Sequence, residues 1–190
     1  GAIVGSLHPL QTFLDVDGRG MNLHGCTFLI DGQGRIIDWL EAVVNKMGGY
    51  PIQLIPENRP LYHASAVLSC GYVTTLLDCA SMLWQVMGFS REDALRALLP
   101  LADQTLRNLE LDGSVRGATG PIVRGDIGTV RQHLDALLER LPSIIPLYCY
   151  AGQAMASAAQ ERGSIDSHKA DEITQLLRSY LDRHLGGVNA

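Results

Sequence analysis

Two histidines stand where the sequence could place a proton donor or acceptor. His8 belongs to the segment HPLQTF, directly after an apolar, strand-like stretch, and His63 follows Tyr62 at the start of a long helical pattern. Imidazole titrates near neutral pH, which suits it to general acid–base catalysis. Because ligands of open α/β sheets bind beyond the carboxyl ends of strands, His8 and Gln11 would point toward such a site. Spacing alone favours a plain strand-ending turn at His8–Pro9.

The long helical pattern runs from Pro60 to Gly88 and is apolar almost all round, which predicts a central, buried helix. One stripe along it is polar and comprises His63, Cys70, Thr74, Asp78, Ser81 and Gln85. Buried polar groups need partners, so this stripe should face a polar surface, a cavity or a second copy of the chain. Two interpretations stay open: an internal hydrogen-bond network or subunit contact, and a first turn around Tyr62 and His63 that lines a substrate cleft.

A glycine-rich loop from 113 to 125 carries two cations, Arg116 and Arg124, and precedes a helix that Asp126 is expected to cap. Free N–H groups at a helix N-terminus favour anions. The loop lacks the GK[ST] ending of a P-loop, which argues against nucleoside triphosphates. An ordinary turn between domains and a site where Arg124 holds an anionic substrate group are equal alternatives.

A second glycine motif, Gly32-Gln-Gly34, follows a strand and opens a helix, as in dinucleotide-binding folds. Ile37 occupies the position of the third glycine, which normally lets the helix pack closely on the strand. The motif is therefore defective, and a chance match is the favoured interpretation. The six histidines are scattered without an HExxH or HxH pattern, so no metal site is predicted.

The elements that would position these residues change character near residue 57. Before it, strand patterns at Ala2–Leu7, Cys26–Ile30 and Ile52–Ile55 are joined by a helical pattern that Gly48–Gly49 closes. A strand, a helix and a strand over about 30 residues indicate a βαβ unit with parallel strands.

Only helical patterns follow residue 57. Ser90 is expected to cap a helix through Leu111 that Pro100 kinks, and further helices should begin near Asp126, Pro142 and Asp166. The predicted fold is an α/β remnant of a Rossmann-like sheet over residues 1–57, followed by an all-α helical bundle domain over 58–190. Because a strand at the very start of a chain needs neighbours, we expect a further segment before Gly1.

Composition excludes several classes of protein. Of the 190 residues, 46% are hydrophobic and 18% are charged, which excludes a disordered chain. The net charge of −5 lacks the excess of positive charge that is typical of proteins that bind nucleic acid or an anionic membrane. No uninterrupted apolar run reaches the length of a membrane span. Four cysteines without a CxxC pair argue against a disulfide framework and favour a reducing, cytoplasmic location.

Four segments in collinear order resemble a family of bacterial Rossmann-type oxidoreductases. They are GSLHPLQTF (5–13), RPLYHASAVLSCGYVTTLL (59–77), ALRALLPLADQTLRNL (94–109) and ATGPIVRGD (118–126). Members have an N-terminal NAD(P)-binding domain and a helical C-terminal domain. The helical domain is similar to those of 6-phosphogluconate dehydrogenase-like proteins and pyrroline-5-carboxylate reductase.

The resemblance implies an NAD(P)-dependent oxidoreductase that acts on a small carbonyl, imine or hydroxy compound and forms a homodimer through its helical domain. The cofactor would be held mainly by a segment preceding this chain. Carried over by position, His63 and His8 would be catalytic, His8 and Pro9 would touch the cofactor, and the substrate-binding residues would be Gln11, Tyr62, Thr119, Gly120, Pro121, Arg124 and Asp126. The family has an asparagine where this sequence has Gly71, so the amide that could orient a substrate carbonyl is missing. A non-catalytic helical dimerisation or ligand-binding module is the alternative.

Overall fold

The computed structural model describes residues 2–13, 22–112 and 119–188. Three strands form one mixed sheet: β1 (Gly5–Pro9), β2 (Thr27–Gly32) and β3 (Tyr50–Gln53). β1 is antiparallel to β2, and β2 is parallel to β3. Together with the helices that follow, this sheet confirms the predicted fold class. The strand bounds differ from those expected, since His8 and Pro9 are the last residues of β1 and pair with Leu29 and Phe28.

The predicted βαβ unit is present as β2, α1 (Arg35–Lys46) and β3. Buried side chains of β2 pack against buried side chains of α1, and this small core comprises Cys26, Phe28, Ile30, Leu40 and Val44. The glycine pair ends α1 as expected. Gly48 adopts φ +74°, and the Gly49 amide donates to Val44 O at 3.0 Å, which completes a Schellman motif.

The helix expected over 60–88 is two helices, α2 (Arg59–Ser69) and α3 (Gly71–Val86). The break lies at Cys70, where φ is −121° and ψ is −60°. The expectation that this segment is buried was wrong, because α2 has no buried residue in the described part of the chain and α3 has only Ser81. Apolar residues on all sides of a helix indicate that its surface is buried in the working protein. They do not indicate whether the same chain or another molecule packs against it.

Three of the six residues of the predicted polar stripe donate hydrogen bonds to nearby carbonyls of the same segment, and a fourth forms an ion pair with the next helix. Ser81 is fully buried and donates to Asp78 O at 2.8 Å, and Gln85 donates to Ser81 O at 3.4 Å. Thr74 donates to Cys70 O at 3.0 Å. The Asp78 carboxylate pairs with Arg91. From Thr74 onward, the stripe is therefore an internal hydrogen-bond and ion-pair network.

Four further helices follow: α4 (Arg91–Asp112), α5 (Ile127–Arg140), α6 (Ile145–Glu161) and α7 (Ser167–Val188). Three predicted caps are in place. The Asp93, Thr129 and Lys169 amides donate to the side chains of Ser90, Asp126 and Asp166 respectively. α4 continues through Pro100, and a 3-10 turn at Pro142–Ile144 precedes α6.

The principal core lies among α5, α6 and α7. Its fully buried members include Val130, Leu134, Ile145, Cys149, Ile173 and Leu177. Gly152 allows α6 and α7 to approach closely, since a Cβ there would lie 3.0 Å from Leu177 Cδ1. The four cysteines, all within the described ranges, are free thiols, and Cys26 and Cys149 are buried.

The chain divides into two compact units, Gly1–Thr75 and Leu76–Ala190. By length and composition alone, the helical segment Pro56–Val86 could cross a membrane: its most apolar window has a mean hydropathy of 1.4, and 6% of that window is buried. No uninterrupted run of apolar residues in this segment has the length of a membrane span. Serine, threonine and glycine interrupt this segment without making it strongly polar.

Two glycine-to-alanine substitutions should change stability in opposite directions. Gly71→Ala should raise the free energy of unfolding by about 0.5–1 kcal/mol, because a methyl group there meets only Val67 Cγ1 at 3.9 Å and alanine favours a helix. Gly49→Ala should lower it by about 1–3 kcal/mol, because its Cβ would lie 2.7 Å from the Phe28 ring and 2.9 Å from Cys26 O. Urea unfolding of both variants tests this pair, and a loss of stability in Gly71→Ala would contradict the open surroundings of that residue.

Candidate functional site

A pocket of about 510 Å³ lies within the first unit, between the end of β1 and α2. The β1 side contributes His8, Pro9, Leu10, Gln11 and Thr12, and the α2 side contributes His63, Ser65, Ala66, Val67, Ser69 and Cys70. Four residues singled out from the sequence, His8, Pro9, Gln11 and His63, therefore line one pocket. Its volume falls within the range of small-molecule sites.

Strand pairing fixes the β1 side of this pocket. His8 lies opposite Leu29, and the Leu10 amide continues the ladder by donating to Thr27 O at 2.8 Å. The Gln11 side chain is held at both ends, because its amide nitrogen donates to Cys26 Sγ at 3.4 Å and its oxygen accepts from the Thr12 amide at 2.9 Å. The segment after β1 thus presents a defined set of side chains.

His8 and Tyr62 join the two sides of the pocket. His8 Nδ1 lies 3.3 Å from the Tyr62 hydroxyl, and the two rings meet edge to face with their centroids 6.1 Å apart. Burial raises the pKa of Tyr62 above its ordinary value, so this hydroxyl stays protonated at neutral pH. The hydrogen bond to Nδ1 orients the imidazole and engages one of its two nitrogens, which leaves Nε2 for a ligand.

An ion pair that sequence reasoning missed holds the first turn of α2 against the sheet. Arg59, the first residue of α2, pairs with Asp31 near the end of β2. The two side chains are 47% and 32% exposed, so the pair adds little stability and mainly sets position. Nothing in the local sequence links these residues, because they are 28 positions apart and meet only through the sheet.

Ser65, Ser69 and Cys70 were also missed as pocket residues. Ser65 and Ser69 donate to the Tyr62 and Ser65 carbonyls, at 2.7 and 2.8 Å. Their hydroxyl oxygens can still accept a hydrogen bond. Helical spacing from Tyr62 and His63 could have found them, since positions three, four and seven apart share a face.

The remaining predicted residues belong to the second unit and form the turn before α5. Within it, the Arg124 amide donates to Gly120 O at 3.2 Å and the Asp126 amide donates to Pro121 O at 2.8 Å. Thr119 begins the described part of this loop, and Arg124 is exposed. Arg116, predicted as the second cation, lies outside the described residues, as do Gly113 and Gly117.

Asp126 acts as the cap of α5. Its two carboxylate oxygens accept from the Thr129 amide at 3.0 Å and from the Thr129 hydroxyl at 2.7 Å. These hydrogen bonds from Thr129 hold the pKa of Asp126 below its ordinary value, with a smaller contribution from Arg124. Both oxygens are therefore already engaged within the turn.

The defective glycine motif borders a separate cavity of about 1030 Å³ beyond the carboxyl ends of β2 and β3. Gly34 adopts φ +60° just before α1, while Ile37 packs against the small core at the position of the third glycine. Asp31 is the charged side chain among the described residues of the lining and already pairs with Arg59, so this lining offers a pyrophosphate no cation of its own. The residues of this segment do not fit a complete dinucleotide. Nor do any three His, Cys, Asp or Glu residues of the described ranges gather as a metal would need.

Residues 26–155 match the family described as "Domain of unknown function (DUF2520)". Among solved structures, a candidate NADP oxidoreductase from Bacteroides fragilis has a similar fold, with a TM-score of 0.64 and 22% identity over 80% of this chain. This chain spans 57% of the length of that structure. A search of curated proteins finds no match to this chain.

The capping role of Asp126 predicts a specific dependence of stability on pH. The folded-state pKa lies below the unfolded value, so the carboxylate stabilises the fold above the unfolded pKa of about 3.9 and this contribution is lost as the pH falls through the folded pKa. Asp126→Asn should therefore have a lower Tm than the parent at pH 7, and the difference should shrink below pH about 4.

Thermal unfolding between pH 3 and 7 measures this difference, with Asp182→Asn, an exposed carboxylate on α7, as the control. A difference between Asp126→Asn and the parent that stays constant across this range would contradict a charged cap.

Proposed function

The chain belongs to the DUF2520 family, and we propose that it supplies the substrate pocket and the helical region of an NAD(P)-dependent oxidoreductase. Its substrate class would be a small carbonyl, imine or hydroxy compound. The observation that carries the proposal is the pocket in which His8, Gln11 and His63 converge. The similar fold of a candidate NADP oxidoreductase, together with the family resemblance of the four sequence segments, supports it.

His8 and His63 are the proposed proton donors and acceptors. In the reducing direction a carbonyl or imine carbon gains a hydride, and its oxygen or nitrogen then needs a proton. In its imidazolium form His8 can provide this proton from Nε2–H, and the ring then keeps its proton on Nδ1, which lies 3.3 Å from the Tyr62 hydroxyl and can donate to its oxygen. In the oxidising direction Nε2 takes the proton back from the hydroxyl or amine.

NAD(P) supplies or accepts the hydride when bound. His8 and Pro9 at the end of β1 are the residues of this chain that we propose lie against the cofactor. The Gly32–Gly34 segment does not fit the pyrophosphate, so we propose that the cofactor is held mainly by a segment preceding Gly1. The greater length of the Bacteroides fragilis structure is consistent with that proposal.

In the second unit, Arg124 is the proposed ligand of an anionic substrate group, with Thr119, Gly120 and Pro121 shaping the turn around it. The exposed guanidinium is available for such a contact. Asp126 was expected to bind substrate, and its engaged carboxylate oxygens favour a positioning role for that residue instead.

A homodimer is the proposed assembly. Large apolar side chains are exposed along α2, α3 and α4, among them Leu61, Leu68, Tyr72, Leu101 and Leu106, each more than half exposed. Large apolar side chains left exposed on helices are typical of surfaces that another chain covers. A second copy covering these helices would remove the apolar surface from water, and we propose a cytoplasmic protein on this basis. The same surface also favours the alternative function, a dimerisation module without catalysis.

Substitution of the pocket histidines tests the enzymatic proposal in the protein that carries this chain together with its cofactor-binding segment. His8→Gln and His63→Gln should each lower kcat by about 10²- to 10⁴-fold, because a proton donor is lost. The Tm should stay close to that of the parent, since both side chains are exposed.

His168→Gln, whose side chain on α7 is 81% exposed, is the matched control and should retain full activity. Unchanged turnover in both pocket variants would favour the non-catalytic module.

Charged substitutions on the exposed helices test the dimer. Leu68→Asp combined with Leu101→Asp should convert a dimer to a monomer, because each carboxylate would have to be buried without a partner. Light scattering after size-exclusion chromatography measures the mass. Trp39→Asp, at a residue on α1 that is also largely exposed, should leave the dimer intact. A parent chain that is monomeric at micromolar concentration would contradict the proposal.

A further inference from the structure

We propose that the second unit contains a separate binding site for a small, elongated aromatic or branched apolar molecule that carries one anionic group. The site is a pocket of about 450 Å³ between α3, α4, α5 and α6. None of its residues takes part in the proposed oxidoreductase site, so the two proposals stand or fall independently. The shape of the pocket walls, the placement of three polar groups and the charge of the lining all fit such a molecule.

Two helical stripes form the long walls. Along α3 the lining residues are Ala80, Leu83 and Trp84, with Val86 beside them, and Met87 directly follows the helix; on α5 they are His133, Ala136, Leu137 and Arg140. Both stripes follow the spacing of one helix face, i, i+3, i+4 and i+7. Each stripe has an alanine where a larger side chain would occupy the space. The pocket is therefore built from two regular faces that small residues keep apart.

The walls are almost entirely apolar, and the polar groups are few. His133 Nδ1 lies 2.9 Å from the Tyr148 hydroxyl, with the two rings edge to face. Burial raises the pKa of Tyr148, so its hydroxyl remains protonated at neutral pH. A mostly apolar pocket with a few convergent polar groups is the usual composition of a small-molecule site.

Arg140 supplies the charge. One of its terminal nitrogens donates to Val86 O at 2.7 Å, which fixes the guanidinium at the end of α3. A guanidinium has five N–H donors, so further donors are left for a ligand. No carboxylate lines the pocket among its described residues, and a carboxylate or sulfonate on the ligand would therefore meet a cation without a competing anion.

The spacing of the polar groups along α5 sets the length of the ligand. His133 and Arg140 are seven residues apart, about 10.5 Å along the helix axis, and Ala136 and Leu137 lie between them on the same face. A fitting molecule places its anionic group near Arg140, its apolar body over Ala136, and a hydroxyl or carbonyl near the His133–Tyr148 pair.

The test uses two dyes with the same ring skeleton. 8-Anilinonaphthalene-1-sulfonate carries one negative charge, and N-phenyl-1-naphthylamine is its neutral counterpart. The 190-residue chain should bind one sulfonate dye per chain, at least fivefold more tightly than the neutral dye, as measured by fluorescence titration. Arg140→Gln should remove that preference without weakening the neutral dye, and Arg140→Lys should restore part of it.

Ala136→Phe should weaken both dyes at least tenfold by filling the pocket, and Ala80→Phe is a second filling variant should the first fail to fold. Arg131→Gln, on the opposite face of α5, and Leu68→Ser, on the exposed α2, are the controls and should bind like the parent. The proposal is overturned if the parent binds no sulfonate dye, or if Arg140→Gln keeps the charge preference. It is also overturned if Leu68→Ser is the one variant that reduces binding, because the dye would then bind at α2. A change in the molecular mass of the protein on filling the pocket, without a loss of dye binding, would overturn it as well, because a second copy of the chain would then be the occupant.

Discussion

The antiparallel pairing of β1 with β2 is the constraint on which the candidate active site depends. This pairing places His8 opposite Leu29 and lets the Leu10 amide extend the ladder, so the chain after β1 leaves the sheet in a fixed direction. A shift of one residue in this register would turn His8 to the other face of the sheet. The pocket would then lose the imidazole of His8 and keep that of His63 on α2, while the remaining fold could persist.

A second link fixes the opposite wall of the pocket. The pair between Arg59 and Asp31 joins the start of α2 to the end of β2, and the His8–Tyr62 contact lies one helical turn further along. Because α2 has no buried residue in the described ranges, these polar contacts are what sets its position on the sheet. The helical core among α5, α6 and α7 is of a different kind, because it consists mainly of buried apolar side chains, with polar contacts such as Tyr180–Asp135 added to it.

Local signals in the sequence were sufficient for much of the fold. The C-terminal end of α1 was predicted from Gly48, and the N-terminal ends of α4 and α5 from Ser90 and Asp126. Each of these residues acts through hydrogen bonds to residues only a few positions away. The burial of α2 and α3 was predicted wrongly, because an apolar helix requires cover without specifying whether the same chain provides it. The Arg59–Asp31 pair escaped prediction because it depends on which strands become neighbours. His8 and His63 were chosen for their chemistry; the sheet register places His8 at the pocket, and the contacts of the first turn of α2 place His63 there.

The central claim is that the end of β1 and the first turn of α2 form a single site. The most direct measurement is a nuclear Overhauser spectrum of the 190-residue chain, with the ring protons of His8 and Tyr62 assigned. The edge-to-face arrangement, with ring centroids 6.1 Å apart, predicts cross-peaks between the two rings. If both rings give cross-peaks to their own neighbours and none to each other, the two walls do not meet and the proposed site does not exist.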